Sequence, residues 1–155
     1  MAKLCRTPRR RRRLVRLLAS SDQRTRRQQD PKEDAERHVW VDVLLHSCLP
    51  RSAWESYSLA LIIQHVGDRA MMNRAYMLAL SAESNRHPRA PWLVAAIRDR
   101  QLILRGLPQY YGTQFRTLPS GRLELLPLDG CCTDQEREAR GLPAVAELEA
   151  FLRSQ

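Results

Sequence analysis

The chain has 155 residues, enough for one domain with a buried core; 43% are hydrophobic but only 6% aromatic, so Leu, Ala, Val and Ile must fill the interior. The net charge of +9 is local: residues 1–29 hold 11 Lys or Arg against one acid, Asp22, whereas residues 30–155 hold 15 bases and 16 acids. Attraction for polyanions therefore belongs to the terminal run rather than to the domain, and no stretch approaches the ~18 uninterrupted apolar residues of a membrane span.

The opening run, "MAKLCRTPRRRRR", predicts a disordered basic tail over residues 1–13, with residues 14–155 as the domain. Such a tail makes weak, non-specific, salt-sensitive contacts with nucleic-acid backbones; the alternatives are a solvated leader, an upstream start or an organelle transit peptide. The apolar stretch "LVRLLA" is broken by Arg16 and is shorter than the ~7–15 residues of a signal-peptide core, so export is not expected. Cys5, Cys48, Cys131 and Cys132 make no disulfide framework and are expected as thiols in a cytoplasmic protein.

Helical periodicity starts at Leu14 with Val15, Leu17 and Leu18, and Asp30-Pro31 ends it. A second helix follows Pro31, its predicted apolar face being Val39, Trp40, Val43, Leu44 and His46, and "SCLP" at 47–50 stops it. Ser52 with Glu55 three residues on is a capping-box pattern for a third helix carrying Trp54, Tyr57, Leu59, Ala60, Ile62 and Ile63. A fourth runs over about 68–84 and should form a hairpin with the third. After the loop "ESNRHPRAP", Pro91 opens a fifth helix that Gly106 should cap. The alternation around Pro119-Ser120-Gly121 predicts a small β-hairpin near residues 114–127. Thr133 or Asp134 should cap one or two short terminal helices. The expected fold is mainly α: an irregular single-domain bundle of five to seven helices with that hairpin.

Three polar motifs stand out. Gln64-His65 ends an apolar helix, where a histidine either caps the helix or serves as a base or ligand. Asp99-Arg100 lies late in the fifth helix, where Arg100 with Arg105 could clamp a carboxylate or phosphate, or where both residues could form ordinary salt bridges. "GLPQYYGTQF", residues 106–115, gathers Gln109, Tyr110, Tyr111, Gly112, Thr113 and Gln114: either recognition groups for a polar ligand or a connector satisfying its own backbone. Metal binding is not expected, because His46 and Cys48 would face apart on a helix and Cys131-Cys132 has no spaced partner. No P-loop, GxGxxG or GxSxG pattern is present, so P-loop nucleotidases, dinucleotide enzymes and serine hydrolases of that type lose support, and the sequence names no cofactor either way.

Taken in order, "SDQRTR", "LIIQH", "IRDR", "GLPQYYGTQF" and "REARGLP" resemble a family of mostly bacterial proteins known only as a domain of unknown function, with DQxxR, QH, DR and YGTQ motifs. The likeness spans roughly residues 15–150. It implies that Asp22, Gln23, Arg26, Gln64, His65, Asp99, Arg100, Gln109, Tyr111, Gly112, Thr113, Gln114 and Arg137 fall on signature positions. On that basis His65, Asp99 and Tyr111 are candidate catalytic groups, and the others candidate contacts for a small polar or anionic ligand. Cys48-Leu49-Pro50 stands where the family tends to have Gly-Trp-Pro, and Trp54 replaces an expected small residue; if that turn helps form the pocket in relatives, ligand choice here differs. The competing expectations are a non-catalytic protein-interaction module in which these residues form a structural polar network, and a nucleic-acid-associated protein acting through the basic tail.

Overall fold

A computed structural model describes residues 8–25, 31–47, 49–65 and 69–154. They form seven helices and one two-stranded antiparallel sheet, a mainly α fold with the hairpin in its expected place. The chain falls into two units, Met1–Ala90 and Pro91–Gln155.

The first unit holds α1 (Pro8–Thr25), α2 (Pro31–Ser47), α3 (Ala53–Ile63) and α4 (Arg69–Ser84). Helix α1 begins at Pro8, so residues 8–13 are not the disordered tail that their charge predicts; residues 1–7 lie outside the described residues. The reason is a distant partner: fully buried Arg11 donates from Nε to Glu55 Oε2 at 3.2 Å and from Nη1 to the Leu44 carbonyl at 3.3 Å. A carboxylate next to a buried guanidinium offsets part of its desolvation, which a run of like charges does not reveal. Val15 and Leu18 are buried on α1, while Leu17 is exposed.

The predicted face of α2 is corrected. Val39 and Trp40 are 63% and 41% exposed, and Arg37, Val41 and Leu44 form the buried stripe at i, i+4, i+7. Arg37 reaches Ser21 Oγ on α1 at 3.1 Å, which turns that stripe inward. On α3, Ser52 Oγ accepts the Glu55 amide as predicted, at 3.2 Å. The reciprocal half of the box is replaced, because Glu55 Oε2 accepts from the Arg51 amide and from Arg11. Leu59, Ala60, Ile62 and Ile63 of α3 are buried, and Ala75, Ala79 and Ala82 give α4 a small-residue stripe that suits close helix packing. Each buried Leu or Ile contributes roughly 1.5–3 kcal/mol relative to exposure. Helix α4 ends through Arg86, whose φ of 60° is left-handed, with the His87 amide bonded to the Ala82 carbonyl at 2.9 Å.

The second unit contains α5 (Ala90–Ile103), which crosses the boundary at its first residue, then β1 (Phe115–Thr117), β2 (Leu123–Leu125), α6 (Asp134–Ala139) and α7 (Val145–Arg153). Gly106 caps α5 as predicted: its φ is +72°, and the Leu107 amide reaches back to the Leu102 carbonyl at 3.0 Å. Phe115 pairs with Leu125, Arg116 with Glu124 and Thr117 with Leu123. Thr133 caps α6 in a complete capping box with Glu136. Among the described residues no helix is long and apolar enough to cross a membrane.

Candidate functional site

The DR and YGTQ motifs meet in the second unit because the Gly106 cap reverses the chain and brings residues 109–114 back along α5. Asp99, with no exposed surface, stands at the centre. Its Oδ1 accepts the Tyr110 and Tyr111 amides, both at 2.8 Å, and its Oδ2 accepts the Thr113 amide at 2.9 Å and the Thr113 hydroxyl at 2.7 Å. Four donors fill the four acceptor positions of a carboxylate. Asp99, expected from the motif as a catalytic group, therefore anchors the loop that follows α5.

The two glutamines are used in the same way. Gln109, also fully buried, accepts the Gln114 amide at 2.8 Å through Oε1 and donates through Nε2 to the Gln114 and Leu126 carbonyls at 3.0 and 2.8 Å. Its side-chain amide thus imitates one peptide of a β-strand beside Gln114. The Gln109 backbone bonds Pro127 and Asp129 across a parallel bridge, which joins the loop to the chain beyond β2. Gln114 Oε1 takes both Nε and Nη2 of Arg100 at 3.2 and 3.0 Å, and its Nε2 donates to the Ala96 carbonyl and to Thr113 Oγ1.

Arg137 closes the far side. It is fully buried, donates from Nε to the Pro143 carbonyl at 2.7 Å and from Nη1 to the Tyr111 carbonyl, and leaves Nη2 without a hydrogen-bond partner. Gly112, at φ +78°, is needed here: a Cβ would stand 2.8 Å from Arg137 Nη1. Tyr111 contributes its backbone to this arrangement, while its ring lies edge-on to Tyr110 at 4.9 Å with Arg140 over its face at 5.9 Å. The Tyr110 hydroxyl donates to Glu136 at 3.0 Å, and this bond first, then burial, pushes the phenol up to about 12. Burial, followed by Glu136, also raises the half-buried Cys132 thiol.

The other residues that the motif resemblance singles out belong to the first unit. Asp22 and Gln64 are buried there, Gln64 serving as the C-cap of α3, and His65 follows it, half-buried. The Gln23 side chain and Arg26 lie outside the described residues, as do Cys5 and Cys48. The structure thus gathers Asp99, Arg100, Gln109, Tyr111, Gly112, Thr113, Gln114 and Arg137 into one cluster, held together as a hydrogen-bonded network.

A cleft of about 610 Å³ opens instead in the first unit, between α1, α3 and the segment after α4. Its walls include Arg16, Trp54, Tyr57, His87 and Arg89, with Ser20 and Ser58 as hydroxyls. The Tyr57 and His87 rings stack at 4.0 Å and 14°, and the Arg16 guanidinium lies over Trp54 at 5.6 Å. His87 Nδ1 accepts the Arg89 amide at 3.3 Å, and burial, then Arg89, lowers the imidazole pKa below 6.5. At neutral pH the ring is neutral, and its proton sits on Nε2. Trp54 is the one cleft residue that stands out in the sequence, as a departure from the pattern the motifs resemble. The others come from three separate segments; the one signal that could have found them is the Trp54–Tyr57 spacing, which sets two rings one helical turn apart on α3.

Among the described residues no group of three His, Cys, Asp or Glu could hold a metal ion. No protein-family model, curated protein or solved structure matches the chain.

Proposed function

We propose that this protein is a binding protein for a small anionic molecule, taken up in the cleft between α1 and α3, with the DR and YGTQ motifs as scaffold. One observation carries the reading: Arg16 and Arg89 line the same cleft, and among the described residues neither is paired with a carboxylate. Guanidinium groups beside a concave, partly apolar wall are suited to carboxylate or phosphate. The motif resemblance supports an anionic ligand in general, and Trp54 fits a ligand particular to this chain. A cytoplasmic setting is part of the proposal.

The test is a thermal-shift screen of anionic metabolites on the wild type, Arg16→Gln and Arg89→Gln. A stabilising compound should raise Tm in the wild type and lose that effect in both variants, which keep the unliganded Tm. Stabilisation that persists in both variants would put the ligand elsewhere.

A second reading, a protein-interaction module, draws on a different observation. An apolar depression of about 490 Å³ between the end of α2 and α4 carries Leu49 and Met77, 81% and 64% exposed. Under this reading no small anion binds, and Leu49→Lys with Met77→Lys abolishes capture of the partner without changing Tm.

A further inference from the structure

We infer that the ligand of the α1–α3 cleft is a planar aromatic ring bearing a phosphate or carboxylate, held by stacking as well as by charge; this rests on the anion-binding reading above. Volume is the first argument. The cleft of about 610 Å³ lies within the ~300–1,000 Å³ of sites for organic ligands, and an inorganic anion would leave most of it empty.

The side chains of the cleft divide the labour between rings and charges. Trp54, Tyr57 and His87 bring three ring systems to one wall; Tyr57 and His87 cover one face of each other at 4.0 Å and so form a fixed double-ring ledge beside Trp54, a wall that suits a flat π-surface better than an aliphatic chain. His87, neutral at neutral pH, acts as a ring and an Nε2 donor rather than as a cation. Positive charge is left to Arg16 and Arg89. Arg16 sits 5.6 Å above Trp54, where its guanidinium can pair an anion while remaining on the indole face.

Arg86, the residue before His87, holds a left-handed φ of 60° where glycine is the ordinary choice. The turn it makes, sealed by the His87 amide on the Ala82 carbonyl, sets His87 and Arg89 beside Tyr57. Strain of this kind persists where the surrounding structure requires a fixed placement of side chains.

The test compares phenyl phosphate, inorganic phosphate and phenol by titration calorimetry on the full chain. Phenyl phosphate should bind roughly ten-fold or more tightly than inorganic phosphate, and phenol should not bind measurably. Trp54→Leu should bring phenyl phosphate to within about two-fold of inorganic phosphate, whereas Trp54→Phe should retain most of the difference. If Trp54→Leu fails to fold, the wild type still decides: in its NMR spectrum phenyl phosphate, and not inorganic phosphate, must shift the Trp54 indole resonance by ring current. Equal affinities for the two phosphates, both dependent on Arg16 and Arg89, would overturn the aromatic requirement and leave the anion reading standing. No binding of either, or binding indifferent to both arginine substitutions, would overturn both.

Discussion

Asp99 and Arg89 are both charged side chains near aromatic pairs, yet their surroundings differ. Every acceptor position of Asp99 is filled from within the second unit, by three amides and one hydroxyl. Arg89 faces a cleft and, among the described residues, meets no carboxylate. A polar motif that satisfies itself stabilises a loop; polar groups with unused capacity beside a concavity can recognise something else. The lesson is that motif density and chemical availability are separate properties, and hydrogen-bond accounting separates them.

The largest expected effect tests the closed region. Asp99→Ala strips the Tyr110, Tyr111 and Thr113 amides of their acceptor inside the unit, and should cost roughly 3–4 kcal/mol by chemical denaturation. A loss below about 1 kcal/mol would mean that water readily replaces the carboxylate and that the network is open. Next comes Gly112→Ala, which adds a Cβ at 2.8 Å from the fixed Arg137 Nη1 in a left-handed backbone and should cost about 2 kcal/mol. The corresponding change in the open region has the opposite sign: Arg86→Gly relieves a left-handed arginine and should gain about 0.5–1 kcal/mol in thermal denaturation, while weakening ligand binding through looser placement of His87.

The smallest effect is a titration. Tyr110 should ionise near 12 rather than 10.0 in ultraviolet difference spectra, and Glu136→Gln should return it toward the ordinary value. Because the folded value is the higher one, the stabilisation from this bond is intact below pH 10.0 and is lost as pH rises through about 12. Glu136 is held below 4.5, first by the Thr133 amide, then by the Thr133 and Tyr110 hydroxyls. Its contribution is present above pH 4.5 and is lost as pH falls through the lowered value.

Much of the fold was legible because local chemistry decides it. Ser52, Gly106 and Thr133 cap helices where the sequence places caps, and the turn at 118–122 closes the predicted hairpin. What escaped depends on distant partners. The arginine run at 9–13 reads as disordered until Glu55, 44 residues from Arg11, is counted. Val39 and Trp40 suggest one face of α2 until buried Arg37 selects another. The YGTQ cluster was legible as a cluster, since Asp99 lies only 11–14 residues from the groups it holds, but its role was not, because donors and acceptors must be counted in space. The cleft escaped because α1, α3 and residues 87–89 each contribute only a few side chains to it.

The most direct measurement sets one substitution in each region side by side, recording Tm and the Kd for phenyl phosphate of Gln114→Ala and Arg89→Gln. The account predicts a double dissociation: Gln114→Ala, which breaks the bonds to Arg100, Ala96 and Thr113, lowers Tm and leaves Kd unchanged, while Arg89→Gln leaves Tm unchanged and weakens binding at least about ten-fold. The reverse pattern, with binding lost in Gln114→Ala at unchanged Tm and retained in Arg89→Gln, would contradict it and return the ligand site to the YGTQ motif.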